Sequence, residues 1–141
     1  MFGMTYAGDL TPTETFELLS SDPAAVLVDV RTAAEWNYVG LPDLSGLGKD
    51  VVTVEWVDFP AGARNPAFME QLAAAGVEPG TPVAFLCRSG VRSKGAATLA
   101  TEAGYQRAYN ISDGFEGPAD EAGHRGGTGG WKAAGLPWKQ S

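Results

Sequence analysis

Residues 25–30, with the sequence Ala-Val-Leu-Val-Asp-Val, limit the folds that are open to this chain. The run is almost entirely apolar and rich in β-branched residues, and it does not alternate between apolar and polar positions. Such a run is typical of a strand buried on both faces, as strands are in a parallel sheet. Parallel strands need crossover connections, so we expect strands and helices to alternate along the chain.

The remaining segments fit that alternation. Thr11 is expected to cap a first helix, with Pro12 in its first turn and Glu14 closing a capping box. Asn65 is expected to cap a later helix in the same way. Helices are predicted at residues 12–20, 65–75 and 94–102, strands at residues 25–30, 51–56, 82–86 and 108–111, and a loop at residues 39–49. We therefore predict an α/β fold in one domain, residues 1–141, with a mostly parallel central sheet and helices on both faces.

The composition excludes several classes of function. Seventeen acidic and ten basic residues give a net charge of −7, which disfavours nucleic acid and anionic membrane surfaces as partners. No apolar run reaches the length of about 18 residues that indicates a membrane-spanning helix. Residues 1–8 lack the charged and apolar regions of a secretory signal. We therefore expect a cytoplasmic protein that binds neither nucleic acid nor membrane.

The only cysteine of the chain, Cys87, directly follows a predicted strand and precedes a predicted helix. A helix N-terminus presents unpaired backbone N–H groups and a positive dipole end, and both favour an anion such as a thiolate. Arg88 and Arg92 flank the cysteine and add positive charge. Cys87 is therefore a candidate nucleophile. A free cysteine is more often a small buried apolar residue, but that alternative explains neither the arginines nor Gly90.

The loop that begins at the cysteine has the sequence Cys87-Arg88-Ser89-Gly90-Val91-Arg92-Ser93. It resembles the active-site loop of the rhodanese family, the thiosulfate sulfurtransferases. Three other segments agree with the family: residues 28–31 together with Glu35-Trp36, residues 110–115, and residues 135–138. The similarity extends from about Leu10 to Trp138.

The resemblance implies a rhodanese-like fold and a double displacement at sulfur. Cys87 would take the sulfane sulfur of thiosulfate or a similar small anion as a persulfide, and a thiophilic acceptor such as cyanide or a thiol would remove it. The acceptor must be external, because one cysteine allows neither an internal disulfide nor a Cys-x-x-Cys pair. Substrate-binding roles would belong to Arg88, Ser89, Gly90, Val91, Arg92 and Ser93, and framework roles to Asp29 and Arg31. No cofactor is implied.

Asp29 is the one polar residue in the strand predicted at residues 25–30. Arg31 follows the strand, and Glu35 lies at a spacing that lets it meet Arg31 if residues 32–38 are helical. A polar pair that ties the strand end to a helix would explain both Asp29 and Arg31 without a chemical role.

Residues 114–130 depart from the pattern of the resembled family. Family members commonly have two glycines followed shortly by a tryptophan, whereas here Asp113 replaces the first glycine and Trp131 comes much later. The simplest explanation is a glycine-rich insertion. It would be either a lid over the site or a disordered surface loop, and the glycine content favours the disordered loop.

Two other functions stay open at this point. A cysteine-dependent phosphatase or arsenate reductase also surrounds an anion with a loop between a cysteine and an arginine, but such phosphatases place five residues between the two. Here four residues separate Cys87 from Arg92, and the smaller ring suits a single sulfur atom. The other alternative is a non-catalytic module that binds anions or a regulatory partner.

No metal site is predicted, because the single histidine, His124, has no partners at ligand spacing. The sequence assigns no oligomeric state.

Overall fold

The computed structural model describes residues 6–57, 64–88, 91–117 and 130–139, without the side chains of Tyr38 and Val91. Within these ranges the strands are β1 (Gly8–Leu10), β2 (Val26–Asp29), β3 (Leu41–Pro42), β4 (Val52–Thr53), β5 (Val83–Leu86), β6 (Ala108–Ile111) and β7 (Trp138–Lys139). The helices are α1 (Pro12–Ser21), α2 (Ala33–Tyr38), α3 (Phe68–Ala74), α4 (Val91–Glu102) and α5 (Gly130–Ala133), with a 3₁₀ turn at Ser45–Leu47. None of these helices is both long and apolar enough to cross a membrane.

Five parallel strands form the central sheet, in the order β1-β6-β5-β2-β4. β3 and β7 form a separate antiparallel pair. Because the five strands share one direction, their carboxyl ends meet at one edge of the sheet. Asp29, Leu86 and Ile111 end β2, β5 and β6 there, and Asp29 lies opposite Leu86. The predicted α/β fold with a mostly parallel sheet is confirmed.

Helices cover both faces of this sheet. Side chains of the central strand β5 alternate between the faces, as the period of a strand requires. Val83 and Phe85 join a buried cluster with residues of α3 and α4, whereas Ala84 and Leu86 join a second cluster with residues of α1 and α5. Each large apolar side chain in these clusters stabilises the fold by roughly 1.5–3 kcal/mol when fully buried. Cys87 continues the alternation and belongs to the cluster on the α3 and α4 side.

The predicted start of α1 is confirmed. Thr11 Oγ1 accepts a hydrogen bond from the backbone N–H of Glu14 at 3.0 Å, and Glu14 Oε1 accepts one from the backbone N–H of Thr11 at 2.9 Å. α2 begins with the same reciprocal arrangement, formed by Thr32 and Glu35 at 3.4 and 3.1 Å. Two helices of different length therefore begin with the same capping box.

α4 begins at Val91 and not at Lys94, so Arg92 and Ser93 belong to its first turn. Their polar side chains give this stretch the appearance of a loop in the sequence. Both side chains have partners on distant elements, since Arg92 bonds to Glu35 of α2 and Ser93 bonds to Asn110 of β6. These tertiary contacts lie outside the local pattern that predicts a helix start.

α3 begins at Phe68, later than residue 65, where the sequence predicts Asn65 as its cap. Asn65 Oδ1 accepts a hydrogen bond from the backbone N–H of Ala67 at 3.0 Å, and its Nδ2 donates to the carbonyl oxygen of Glu55 at 2.9 Å. Asn65 therefore closes a turn ahead of the helix and ties that turn to the preceding segment. Asparagine favours both roles, so its presence alone does not distinguish a cap from a turn.

The remaining differences concern very short elements. The predicted loop at residues 39–49 contains β3 and the 3₁₀ turn, and neither β1 nor β7 is among the predicted strands. Each of these strands has two or three residues, too few for a periodic pattern. In the strand predicted at residues 51–56, β4 covers Val52–Thr53, and pairing continues to Trp56, whose N–H donates to the carbonyl oxygen of Val30 at 3.1 Å. That residues 1–141 form one domain stays a prediction.

Candidate functional site

Cys87 is the first residue after β5, at the carboxyl edge of the sheet. Its side chain is buried, and its Sγ lies 3.2 Å from Oγ of Ser93 in the first turn of α4. The first N–H groups of a helix have no acceptors within the helix itself, and this end of α4 is the one next to the cysteine. Such an end favours a negatively charged sulfur.

A chain of polar side chains leads from Ser93 to the protein surface. Ser93 Oγ donates to Asn110 Oδ1 at 2.5 Å, and Asn110 Nδ2 donates to Asp9 Oδ1 at 2.9 Å. Ser93 and Asn110 are buried, whereas Asp9 is exposed and also accepts a hydrogen bond from the Tyr6 hydroxyl. Sequence reasoning misses Asn110 and Asp9 as parts of the site, because their contacts depend on the pairing of β1 with β6. The only signal is the place of Asn110 in a segment that resembles the family.

Arg92 is held by Glu35 in a bidentate ion pair. Nη1 and Nη2 of Arg92 donate to Oε1 and Oε2 of Glu35 at 2.7 and 2.8 Å. The expected contact of Glu35 with Arg31 is therefore corrected: Arg31 precedes Thr32, the capping residue of α2, and its guanidinium pairs with Asp29.

The ion pair changes the protonation of both partners. Burial raises the pKa of Glu35, but the hydrogen bonds and charge of Arg92, the hydrogen bond from Thr32 and the charge of Arg31 together outweigh burial, and the net pKa lies below the ordinary value of 4.5. The hydrogen bonds to Glu35 raise the pKa of Arg92, and a charge on Cys87 acts in the same direction. Arg92 is therefore within electrostatic range of the Cys87 sulfur.

Arg88 has a more open environment than Arg92. Its Nε lies 3.2 Å from Oε2 of Glu116, and half of its side chain is exposed. A pair of this kind contributes at most about 1 kcal/mol to stability, since water and salt screen it. Of the two predicted donor-binding arginines, Arg92 is the one held in a fixed position.

Asp29 and Arg31 form a fully buried ion pair beside the site. Nε and Nη2 of Arg31 donate to Asp29 at 2.9 and 2.6 Å, and Nη2 also donates to the carbonyl oxygen of Gly40 at 2.7 Å. The guanidinium carbon of Arg31 lies 4.3 Å from the centre of the Phe115 ring. The pair thus joins the end of β2 to the segment after α2 and to the turn after β6. Its role as a framework of the active site stays a prediction.

The turn after β6 packs directly on the backbone of the cysteine loop. The N–H of Phe115 donates to the carbonyl oxygen of Cys87 at 2.8 Å, and the N–H of Glu116 donates to that of Arg88 at 3.0 Å. Gly114 has φ +61°, and a Cβ added there would lie 2.3 Å from the carbonyl oxygen of Cys87. Glycine is therefore required at this position, both for the backbone angle and for the close approach.

Two predicted site residues, Ser89 and Gly90, lie outside the part of the chain that is described. For Val91 only the backbone, at the start of α4, is described. Residues 118–129 also lie outside, so the choice between a lid and a disordered surface loop stays open. Among the described residues, no group of three histidine, cysteine, aspartate or glutamate side chains could hold a metal ion.

Comparison with known proteins identifies the class of this fold. The chain is similar to the crystal structure of Rv0390 from M. tuberculosis, with 55% identity and a TM-score of 0.88 over 96% of this chain and 99% of that one. It is also 32% identical to the chloroplastic rhodanese-like domain-containing protein 4 of Arabidopsis thaliana, over 85% of this chain and 23% of that protein. The chain is therefore a rhodanese-like domain.

The family assignment is more specific. The profile of the STR4 middle domain matches residues 8–141, and the chain belongs to that family. The uncharacterized protein RC0915 of Rickettsia conorii is 38% identical over 93% of this chain and 96% of its own length. A more distant relative is the thiosulfate sulfurtransferase GlpE of Tolumonas auensis, 28% identical over 67% of this chain and 73% of that protein.

Proposed function

We propose that this protein is a sulfurtransferase that carries sulfane sulfur as a persulfide on Cys87. The observation that carries the proposal is the position of Cys87, the only cysteine of the chain, between the end of β5 and the first turn of α4. A helix start stabilises a thiolate placed there through its N–H groups and dipole, and the sulfur lies within electrostatic range of Arg92. The relative GlpE of Tolumonas auensis is a thiosulfate sulfurtransferase by name, and the similarity to it supports thiosulfate as the sulfur donor.

The reaction has two steps. The Cys87 thiolate attacks the sulfane sulfur of thiosulfate, a new S–S bond forms, and the original S–S electron pair leaves with sulfite. Cyanide or a thiolate then attacks the outer sulfur of the persulfide, and the Cys87 thiolate is regenerated. In each step one bond to the transferred sulfur forms and one breaks, and the leaving group keeps the electron pair of the broken bond, so neither step requires an oxidant or a cofactor.

In this proposal the loop and the first turn of α4 bind the donor. Backbone N–H groups of residues 88–93 would bind the sulfur, and the guanidinium groups of Arg88 and Arg92 would attract the sulfonate oxygens. Asp29 and Arg31 hold the neighbouring strand end. The partners are a small sulfur-donor anion and a thiophilic acceptor, and the proposed location is the cytoplasm, where thiols stay reduced.

Intact-mass measurement tests the persulfide directly. Incubation with thiosulfate should add the mass of one sulfur atom to the wild-type protein, and cyanide should remove it with formation of thiocyanate. Cys87→Ala should neither gain mass nor turn over, because the chain has no other thiol. Circular dichroism of this variant checks that its fold is intact.

Two results would overturn the proposal. Absence of added sulfur on the wild-type protein, with thiosulfate and with inorganic polysulfide, would favour the non-catalytic module. Hydrolysis of an aryl phosphate by the wild-type protein at a rate that matches sulfur transfer would favour the phosphatase. We expect no such hydrolysis, because a phosphoryl group needs a wider loop than the one between Cys87 and Arg92.

A further inference from the structure

The polar chain formed by Ser93, Asn110 and Asp9, which lies next to Cys87, has only one consistent arrangement of hydrogens. The Asp9 carboxylate can only accept hydrogen bonds, so the Asn110 amide must turn its NH₂ group toward Asp9, at 2.9 Å. The amide oxygen of Asn110 then faces Ser93, and the Ser93 hydroxyl donates to it at 2.5 Å. The exposed Asp9 therefore fixes the orientation of a buried amide.

This arrangement determines how Ser93 meets the cysteine. A serine hydroxyl carries a single hydrogen, and in Ser93 that hydrogen is directed at Asn110. Ser93 thus presents a lone pair to the Cys87 sulfur 3.2 Å away, and the Cys87 S–H is the donor in that contact. A thiolate, in contrast, would be repelled by that lone pair, and the Ser93 hydroxyl could donate to the sulfur only by turning away from Asn110 Oδ1, which would then lose this hydrogen bond.

We propose that Asn110 and Asp9 are positioning residues that hold Ser93 as a hydrogen-bond acceptor toward Cys87 and so favour the protonated thiol. The inference deepens the proposed function, on which its relevance to sulfur transfer rests. When the thiol loses its proton to solvent, the Ser93 hydroxyl turns and donates to the sulfur. Asp9, at the surface on β1, thereby sets how readily the buried nucleophile ionises.

Other charged groups around the cysteine belong to several elements and stay unchanged in the test. They are Arg92 on α4 with Glu35 on α2, the Asp29–Arg31 pair at the end of β2, and Arg88 with Glu116 on the two loops at this edge. The Tyr6 hydroxyl donates to Asp9 at the outer end of the polar chain. The test must therefore separate the effect of the hydrogen bond that Asp9 accepts from Asn110 from the effect of the negative charge of Asp9.

Asp9→Ala and Asp9→Asn form a matched pair for that purpose. Both remove the charge, but the side chain introduced by Asp9→Asn can still accept from Asn110 through its amide oxygen. In Asp9→Ala the Asn110 amide is free to turn over and donate to Ser93, which releases the Ser93 hydrogen for the thiolate. The readout is the pH midpoint of the ultraviolet absorbance of the Cys87 thiolate, with Cys87→Ser as the blank that lacks a thiol. This measurement requires no sulfur donor. We expect Asp9→Ala to lower the midpoint by roughly one unit and Asp9→Asn to leave it unchanged.

Two further variants test the path through the chain. Asn110→Leu removes the amide at similar volume and should lower the midpoint about as much as Asp9→Ala, with no further shift in the double variant. In a Ser93→Ala background, Asp9→Ala should produce no shift, because the hydroxyl that transmits the change is absent. Thermal unfolding of each variant checks the fold, and if Asn110→Leu does not fold, the two Asp9 variants and Ser93→Ala decide the question.

Three results would overturn the inference. They are an unchanged midpoint in Asp9→Ala, equal shifts in Asp9→Ala and Asp9→Asn, and a shift by Asp9→Ala that persists without Ser93. Sulfur loading measured by mass on the same proteins separates this inference from the proposed function. A shifted midpoint without sulfur loading would support the positioning role and contradict sulfur transfer. Sulfur loading without any shift of the midpoint would support sulfur transfer and contradict the positioning role.

Discussion

Glu35 joins two parts of the candidate site through one carboxylate. Its Oε1 accepts from the backbone N–H of Thr32 at 3.1 Å, which closes the first turn of α2. The same carboxylate accepts two hydrogen bonds from Arg92 on α4. A charge-assisted bidentate pair of this kind fixes direction as well as distance. The orientation of Arg92 beside Cys87 therefore depends on the start of a helix on another part of the chain.

The Glu35 pair should make stability depend on pH. The pKa of Glu35 is lower in the folded protein than the ordinary value of 4.5, so the folded state binds fewer protons than the unfolded state near that pH. The stabilisation is therefore complete above 4.5 and decreases as the pH falls through the folded pKa. We expect Glu35→Gln to lower the free energy of unfolding by roughly 1–3 kcal/mol at neutral pH and by much less in acid. Urea unfolding at several pH values measures both.

Glu17 provides the control for that experiment, because it is an exposed glutamate on α1. Glu17→Gln should change the free energy of unfolding by less than about 0.5 kcal/mol at either pH. If the difference between the wild-type protein and Glu35→Gln stays constant from neutral to acidic pH, the pair does not carry the pH dependence.

At the scale of the element, α1 and α2 allow a comparison of two similar helix starts. Thr11 and Thr32 each close a capping box with a glutamate three positions later. Replacement of either threonine by alanine should cost about 1 kcal/mol of stability, since a helix N–H loses its partner. Only Thr32→Ala should also lower kcat/KM for thiosulfate, because only its glutamate also holds Arg92.

Thermal unfolding and thiosulfate–cyanide assays of the two variants measure these effects. Thr11→Ala is the control for a general loss of stability, although Thr32 is the more buried of the two threonines. An equal effect on kcat/KM in both variants would show that the hold of Glu35 on Arg92 has no part in the reaction.

At the scale of the whole molecule, the cysteine loop depends on a turn that follows it by more than twenty residues in the chain. Gly114 approaches the Cys87 carbonyl oxygen so closely that a Cβ would lie 2.3 Å away. Gly76 also has a positive φ, +88°, but a Cβ there would meet nothing within 4 Å. Gly76→Ala should therefore cost about 1–2 kcal/mol for the backbone angle alone.

Gly114→Ala carries the same backbone cost and must also displace the Cys87 or Arg88 backbone. We expect Gly114→Ala to lower the free energy of unfolding by roughly 1–3 kcal/mol more than Gly76→Ala does, because an added group at a closely packed site strains its surroundings. We also expect this variant to load less sulfur from thiosulfate. Urea unfolding and intact-mass measurement of both variants test this. Equal losses in the two variants would show that the turn can move away from the cysteine loop without cost.

The sequence alone determines those features whose physical causes are local. The capping box of Thr11 and Glu14 acts within one turn of helix, so its residues predict the start of α1 correctly. The apolar run at residues 25–30 predicts a strand buried on both faces, and with it the parallel sheet. Cys87 next to a helix N-terminus is predicted for the same reason, since strand, loop and helix are consecutive.

Only the tertiary structure decides the partners of the polar side chains at the site. Glu35 meets Arg92 and not Arg31 because the fold brings the first turns of α2 and α4 together, although they are far apart in the sequence. Asp9 reaches Asn110 through the pairing of β1 with β6, across a separation of 101 residues, and no local pattern marks so short a strand. A hydrogen bond depends on distance and angle between two groups, whereas periodicity and composition report on one segment at a time.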